Sequence, residues 1–270
     1  MHPVTDGTAP HISYVIAGSE ATGGAGLQAD LRTFRQLGTY GVGSITCIVS
    51  FDPKAGWSHR FVAMDPGVIA DQIEAATSAH DLDVVKIGML GTPQTIAVVA
   101  NALTKQTWRH IVVDPVLICK GQEPGAALDT DNGLRSEILP LATVVTPNLF
   151  EARTLAGMES IENVDDLKEA ARKIADLGPR YVVVKGGMEL PGTDAVDIVY
   201  DGTDFTEFRA PKIGEQRVAG AGCTFAAAIT AELAKGADVL DAVRVAKEFT
   251  RAGITAAITT KAPQPSIGIA

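Results

Sequence analysis

Three small residues, Gly220-Ala221-Gly222, lead into an alanine-rich segment that is typical of a helix. The first amide groups of a helix have no acceptor within it, and the helix dipole places partial positive charge at that end. Such a turn can hold a transferring phosphoryl group. Glycines in this setting also serve only to let a helix pack closely on a sheet, and the pattern alone leaves both interpretations open.

The next residue, Cys223, stands where a phosphate-transferring enzyme more often has a carboxylate base, a lysine or a hydroxyl. A helix N-terminus is expected to lower the pKa of a thiol, so Cys223 is a candidate base or nucleophile. Cys119 follows the strand-like run VVDPVLI and is a second candidate for the same site. A small buried hydrophobe is the alternative for both cysteines, and it is our interpretation of Cys47.

Oxygen-bearing side chains follow two of the strand-like runs. Asn148 and Glu151 stand three residues apart, so on a helix they share a face and could hold a hydrated Mg²⁺ beside phosphates. The same spacing is that of a capping box at the start of a helix. Asp114, which precedes Pro115, is a candidate carboxylate for a metal ion or a phosphate group, or alternatively starts a turn.

The stretch from Phe51 to Pro66 mixes turn residues with aromatic ones and suggests a lid or flap. His59 lies in it near Trp57 and is a candidate ligand contact, although an exposed flap histidine without a role is the simpler interpretation. The chain has neither GxxxxGK[ST] nor a GxGxxG in the register that dinucleotide-binding folds require. A phosphate donor must therefore bind in another way.

These candidates need a framework that brings distant segments together. Apolar strand-like runs alternate with helix-like segments, and most runs are continuous, as in strands covered on both faces. The alternation predicts an α/β fold: a doubly wound, mainly parallel sheet with helices on both faces, in which ligands gather beyond the carboxyl ends of the strands. We expect strands at 12–18, 42–49, 84–90, 110–117, 143–148, 180–187 and 195–202, and helices at 25–37, 68–79, 93–105, 165–177 and 223–235.

Composition narrows the organisation and the partners. With 270 residues, 46% of them apolar and 20% charged, the chain is expected to form a single domain over 1–270, with loose ends at 1–11 and 261–270. The formal charge of −9, without a basic run, argues against a nucleic-acid partner. Three cysteines without a CxxC pair predict a reducing, cytoplasmic compartment. We expect no signal peptide and no membrane span, because neither pattern is visible.

Six fragments follow one another along the chain in this order: IAGSEATGGAGLQADLRTFRQLGTYG, KIGML, VVDPVLICKG, VVTPNLFEA, VVVKGG and GAGCTFAAAITAELAKG. Together they resemble the ribokinase superfamily and, within it, the branch of hydroxymethylpyrimidine kinases and bacterial pyridoxal kinases. The resemblance implies an ATP- and Mg²⁺-dependent kinase with a ribokinase-like fold, and a homodimer. It makes Gly220, Ala221 and Gly222 the anion hole, with Cys223 in the position of the base. It also implies nucleotide contacts at Asn148, Lys185, Gly186, Gly187, Asp197 and Gly222, and metal contacts at Asp114 and Glu151.

The substrate is indicated by a more local resemblance. Hydroxymethylpyrimidine kinases carry a glutamine at the position that Phe51 occupies here, and a phenyl ring cannot replace that polar contact. DPxxxWSH and DPVxxCKG are instead similar to the pyridoxal kinases that use two cysteines. The resemblance implies that Cys119 adds to the substrate aldehyde as a hemithioacetal, that Cys223 handles the 5′-hydroxymethyl proton, and that Ser19, Phe51 and His59 contact the substrate.

The resulting expectation is ATP-dependent phosphorylation of the 5′-hydroxymethyl group of pyridoxal and related vitamin B6 vitamers, a salvage reaction. A hydroxymethylpyrimidine or hydroxymethylpyrimidine-phosphate kinase is the nearest alternative, and a non-catalytic pyridoxal-binding protein is a more distant one. A cysteine hydrolase is disfavoured, because no histidine is placed by a visible pattern to activate Cys223. Two positions depart from the family pattern: Ala219 stands where many relatives have histidine, and Glu20-Ala21-Thr22 replaces the usual Asp- or Ser-rich stretch.

Overall fold

The computed structural model describes residues 10–117 and 124–269, and these form a nine-stranded sheet of order β3-β2-β1-β4-β5-β6-β7-β8-β9. Parallel pairing joins β2 to β1 and continues through β4, β5, β6 and β7, whereas β3, β8 and β9 each pair antiparallel with the preceding strand. The strands are β1 (Ile12–Glu20), β2 (Tyr40–Asp52), β3 (Ser58–Ala63), β4 (Val84–Ile87), β5 (His110–Val113), β6 (Val144–Val145), β7 (Tyr181–Lys185), β8 (Asp194–Tyr200) and β9 (Phe205–Pro211).

Helices cover both faces of the sheet, because successive side chains of a strand point to opposite sides. In β4, Val84 packs with residues of α7 and α8, while Val85 packs with residues of α2, α3 and α6. α1 joins α7 on the first face. The helices are α1 (Gly26–Gln36), α2 (Pro66–Ala79), α3 (Pro93–Leu103), α4 (Pro124–Gly133), α5 (Leu149–Ala156), α6 (Val164–Ala175), α7 (Ala221–Ala234) and α8 (Val239–Thr255). The predicted doubly wound, mainly parallel α/β sheet is confirmed.

Two further features complete the fold: the hairpin at one edge of the sheet and the segment after α8. The predicted flap is the hairpin of β2 and β3, in which Phe51 pairs with His59 across the strands. The segment from Lys261, which we expected to be loose, is docked instead, since Ile267 is 1% exposed and Ser266 forms bridges to Ala219 and Ile258. That expectation is wrong. The prolines of the segment suggested a free loop, but its isoleucines are buried in the core. Residues 1–9, the greater part of the other expected loose end, lie outside the described residues.

In the parts of the chain that the structure describes, no helix combines the length and the apolar character that crossing a bilayer requires.

Candidate active site

Two cavities meet at the carboxyl edge of the parallel strands, and the start of α7 forms the wall between them. The first cavity, of about 420 Å³, is lined by Asp114, Lys185, Asp197 and Lys247, among others. The second cavity, of about 470 Å³, is lined by residues of the β2–β3 hairpin and by Lys86. Val116, Gly220 and Cys223 line both. A group that reacts at Cys223 is therefore accessible from two chambers.

The glycine turn, Gly220-Ala221-Gly222, has a backbone that only glycine accommodates at its first position. Gly220 has φ +84°, and a Cβ there would lie 1.9 Å from the carbonyl oxygen of Gly24. At Gly222 a Cβ would meet nothing closer than Lys185 Nζ at 3.6 Å and the two Asp114 oxygens at 4.0 Å. The space beside Gly222, at the N-terminus of α7, is thus bounded by a cation and a carboxylate, and it lies at the end of the helix where a phosphate group would bind.

Asp114 follows β5 and Lys185 ends β7, two parallel strands that lie on either side of β6 in the sheet. The ammonium of Lys185 lies 3.5 Å from Asp114 Oδ1 and 5.8 Å from the centre of the Phe225 ring. Both side chains are largely buried, with 13% of Lys185 and 5% of Asp114 exposed. The cation is therefore fixed at the mouth of the glycine turn, where a phosphate charge would face it.

Asn148 and Glu151 form a complete capping box at the start of α5. The Asn148 amide donates to Glu151 Oε2 at 2.8 Å, and the Glu151 amide donates to Asn148 Oδ1 at 2.9 Å. The capping alternative is thus realised, and both residues also line the first cavity. Burial raises the pKa of the Glu151 carboxyl to about 8, against the opposing effect of Lys185. Among the described residues, no cluster of three or more His, Cys, Asp or Glu side chains could by itself hold a metal ion.

The remaining predicted nucleotide contacts line the same cavity. Gly186 and Gly187 follow β7, and Gly186 packs so closely on β8 that a Cβ would lie 2.4 Å from the carbonyl oxygen of Val196. Asp197 is 6% exposed and accepts a hydrogen bond from Lys247 Nζ at 2.7 Å. Sequence reasoning missed Lys247, although the apolar spacing of α8 would have marked it as a lysine close to a buried helix face.

Cys223 lies in the first turn of α7, where the backbone amide of Gly26 hydrogen-bonds to its sulfur. Burial, with smaller contributions from Asp114 and Asp30, nevertheless raises the pKa of the thiol to about 12, while Lys86 opposes this rise. The predicted lowering of this pKa is therefore wrong for the ligand-free protein. A helix N-terminus contributes only a partial charge, and here the desolvation of the sulfur outweighs it.

The raised pKa has a measurable consequence. The rate at which iodoacetamide alkylates Cys223 should rise by up to about tenfold per pH unit between pH 7 and 9 without levelling, because the thiolate fraction keeps growing below the pKa. Peptide mass spectrometry of quenched samples resolves Cys223 from the other cysteines. A plateau below pH 8 would contradict the desolvated thiol.

A buried ion pair lies close enough to Cys223 to affect its charge. Lys86 of β4 and Asp30 of α1 are both fully buried, and Lys86 Nζ donates to Asp30 Oδ2 at 2.9 Å. Burial opposes the charge of Lys86, but Asp30, Cys223 and Asp114 together outweigh it and hold the pKa of the ammonium above its usual range. Burial raises the pKa of Asp30 to about 6, so the pair is ionic at neutral pH. Sequence reasoning missed it, although a lysine inside the apolar run VVKIGML was a visible signal.

The hairpin of β2 and β3 supplies aromatic walls to the second cavity. Phe51 and His59 meet edge to face, with ring centres 4.6 Å apart, and Trp57 lines the same space. Trp57 has φ +61°, an uncommon backbone conformation for a bulky residue. The predicted substrate contacts Phe51 and His59 thus lie together beside Cys223.

Two other predicted substrate contacts have different outcomes. Ser19 is not among the residues that line the second cavity, because its hydroxyl turns to α1 and accepts a hydrogen bond from Gln28 Nε2 at 2.8 Å. Its neighbour Glu20 lines the cavity instead and accepts hydrogen bonds from Thr22, Gly24 and Ala25, which order the loop before α1. Cys119 lies outside the described residues.

Known proteins resemble this chain both in sequence and in fold. The model of the phosphomethylpyrimidine kinase family matches residues 20–266. The pyridoxine kinase of Bacillus subtilis is 44% identical over 253 residues, which cover 94% of this chain and 92% of that protein. The pyridoxal kinase of Staphylococcus aureus in complex with AMP-PCP and pyridoxal superposes with a TM-score of 0.90 at 37% identity, covering 97% of this chain and 94% of that one. The phosphomethylpyrimidine kinase of Clostridium difficile gives a TM-score of 0.77 at 35% identity, covering 90% and 99%. The expected ribokinase-like fold is confirmed, and the chain belongs to the phosphomethylpyrimidine kinase family.

Proposed function

We propose that this protein is an ATP-dependent kinase that phosphorylates the 5′-hydroxymethyl group of pyridoxal and related vitamin B6 vitamers. The observation that carries the proposal is the glycine turn with Cys223, which forms the wall shared by two cavities. A phosphate donor in the first cavity and an acceptor alcohol in the second would meet at the N-terminus of α7. The names of the pyridoxine and pyridoxal kinases described above support the same reaction.

In this proposal, transfer is in line. The hydroxymethyl oxygen bonds to the γ-phosphorus while the bond from that phosphorus to the bridging oxygen breaks, and ADP leaves. The amides of the glycine turn and the ammonium of Lys185 stabilise the charge on the phosphoryl oxygens. The hydroxyl proton passes to the sulfur of Cys223, which accepts it as the thiolate. Burial raises the pKa of this thiol to about 12 in the ligand-free protein, and the positive charge of Lys86 is what opposes that rise.

A divalent metal fits beside the glycine turn, although the chain provides few ligands for it. The two oxygens of Asp114 face Gly222, and the Glu151 carboxyl group, which metal binding would deprotonate, lines the same cavity. Mg²⁺ in kinases keeps several waters and takes one or two carboxylates in addition to the phosphates, so this donor set is sufficient. When bound with the nucleotide, Mg²⁺ would neutralise charge on the phosphate oxygens. Asp114 and Glu151 would hold its water shell, and Asn148, Gly186, Gly187 and Asp197 would border the nucleotide.

A hydroxymethylpyrimidine kinase is the second candidate, and the family match favours considering it. Phe51 separates the two functions, because it lines the second cavity with a ring that offers the aminopyrimidine no hydrogen bond. Cys119 would add to the aldehyde of pyridoxal, for which hydroxymethylpyrimidine has no counterpart.

Turnover of pyridoxal should therefore exceed turnover of hydroxymethylpyrimidine by at least about tenfold in kcat/KM, since an unpaired polar group in a closed site is penalised. Steady-state assays of ADP release with pyridoxal, pyridoxine, pyridoxamine and hydroxymethylpyrimidine measure the ratio. Phe51→Gln should narrow it. Equal or reversed values in the unmodified protein would favour the second candidate.

We infer a single domain over 1–270 and a cytoplasmic location, the latter from cysteines without CxxC spacing. A homodimer would cover the exposed apolar side chains of the outer hairpin, where Ile48 and Val62 pair across the strands at 39% and 63% exposure.

A further inference from the structure

The segment that follows α8, residues 256–269 and here called the returning segment, is bonded to the glycine turn through Ala219. The Ala219 amide donates to the carbonyl of Pro265 at 2.9 Å, and the Ile267 amide donates to the carbonyl of Ala219 at 2.9 Å. Both backbone groups of the residue before Gly220 are thus held by a chain segment about 45 residues away. The side chain of Ala219 takes no part in this arrangement.

Close packing reinforces these bonds. A Cβ at Gly220 would lie 1.9 Å from the carbonyl oxygen of Gly24 and 3.2 Å from Ile267 Cγ2. A Cβ at Gly24 would lie 2.7 Å from Ser266 Oγ. The loop before α1, the glycine turn and the returning segment are therefore packed directly against one another.

The returning segment is itself anchored on α8. Ile267 is 1% exposed, and a Cβ at Gly253 would lie 2.8 Å from its Cγ1. The Gly268 amide donates to the carbonyl of Gly253 at 3.0 Å, and a Cβ at Gly268 would lie 1.9 Å from the carbonyl oxygen of Ala256. Beyond this anchor, Ala262, Pro263, Gln264 and Ser266 line the second cavity. The segment connects a rigid helix to the active-site wall.

We propose that the returning segment is a positioning element of the active site, which fixes the amides of the glycine turn through Ala219 and is itself fixed by Ile267. The expected effect on turnover rests on the proposed function, whereas the expected effect on the rigidity of the glycine turn does not. Preorganised donors act on a transition state only when they are held within a fraction of an ångström, and a displacement of about 1 Å can cost on the order of 100-fold in rate. None of the residues of this segment needs to touch the phosphate.

Ile267→Ala tests the proposal, with Ile69→Ala as the matched control. Ile69 lies on α2, is fully buried, and packs in the cluster on the other face of the sheet. Both variants should lose comparable thermal stability, since each removes the same atoms from a packed core. Ile267→Ala should lower kcat at least about tenfold more than the control does, at saturating vitamer and ATP, and Ile267→Val should give a smaller loss in the same direction.

Hydrogen exchange provides the readout that does not depend on activity. In ligand-free protein, peptides that cover residues 218–226 should exchange faster in both Ile267 variants than in the unmodified protein and in the Ile69 control. If Ile267→Ala does not fold, the exchange and kcat of Ile267→Val decide the question. Unchanged exchange over 218–226 together with unchanged kcat would overturn the proposal. An unmodified protein without kinase activity would refute the proposed function instead, and the exchange result would still stand.

Discussion

Alanine at position 222 is expected to lower kcat by about 100-fold or more while the protein keeps, or slightly gains, thermal stability. A Cβ at Gly222 meets only ordinary van der Waals distances, 3.6 Å to Lys185 Nζ and 4.0 Å to the Asp114 oxygens. Replacing a helical glycine by alanine stabilises a helix by up to about 1 kcal/mol. The added methyl group, however, projects into the space between the start of α7, Lys185 and Asp114, where we propose that the phosphoryl group lies. The loss of one stabilising contact to that group costs roughly 10²–10³ in kcat.

Steady-state kinetics and a thermal melt on the same preparation test this separation of activity from stability. Gly133→Ala is the matched control, because Gly133 ends α4 outside both cavities and a Cβ there would also meet its nearest neighbour, Ile96, at an ordinary 3.4 Å. The control should keep kcat. A folded Gly222→Ala protein with near-normal kcat would mean that the glycine turn serves only the packing of α7 on the sheet, the alternative that its sequence leaves open.

The sheet was predictable because its strands are buried on both faces. Val84 and Val85 face opposite sides and are both fully buried, so the run remains apolar throughout and stands out against the polar loops. The carboxyl ends of such strands converge, which is why Asp114, Asn148 and Lys185 could be grouped from sequence alone. β9 was missed because its residues are only partly buried and its alternation is interrupted by charged side chains.

Pairings over long sequence separations were beyond the reach of local patterns. Lys86 stands out within its strand, but nothing in the sequence specifies that Asp30, 56 residues away, is its partner. Local chemistry likewise placed a helix N-terminus at Cys223 but not the depth of burial that reverses the direction of its pKa shift. For Ser19, the resemblance implied a contact with the substrate. In the structure the alternation of side chains along β1 directs its hydroxyl towards α1, where it accepts a hydrogen bond from Gln28.

The departures from the family pattern acquire a physical meaning in this structure. Ala219 replaces a histidine of many relatives, yet its backbone is held by Pro265 and Ile267, so the glycine turn does not depend on that side chain. Glu20 replaces a shorter acid or serine, and its carboxylate accepts hydrogen bonds from the amides of Thr22, Gly24 and Ala25. The backbone of Ala219 and the side chain of Glu20 thus order the glycine turn and the loop before α1, respectively.

Replacing Cys223 by alanine should reduce turnover of every vitamer by about 10²–10⁴-fold, the range associated with loss of a general base. The sulfur lies between the two cavities, next to the glycine turn and under the electrostatic influence of Lys86. No other described side chain with a proton-accepting group combines a position on both cavities with that cation. Measurement of kcat with pyridoxal and with pyridoxine, at saturating ATP, should show equal losses for the two substrates.

Variants of the two other cysteines, Cys47 and Cys119, distinguish the role of Cys223 in proton transfer from other effects of losing a thiol. Cys47 is fully buried in β2 and lines neither cavity, so Cys47→Ala controls for the loss of a buried thiol and should keep kcat. Cys119→Ala should slow pyridoxal and spare pyridoxine, because pyridoxine has no aldehyde with which a hemithioacetal can form. A Cys223→Ala protein that remains fully active would exclude Cys223 as the proton acceptor, and equal losses on both substrates in Cys119→Ala would exclude the aldehyde adduct. All vitamers share the hydroxymethyl group whose proton Cys223 would accept. The mechanism therefore requires that Cys223→Ala lower kcat with both pyridoxal and pyridoxine.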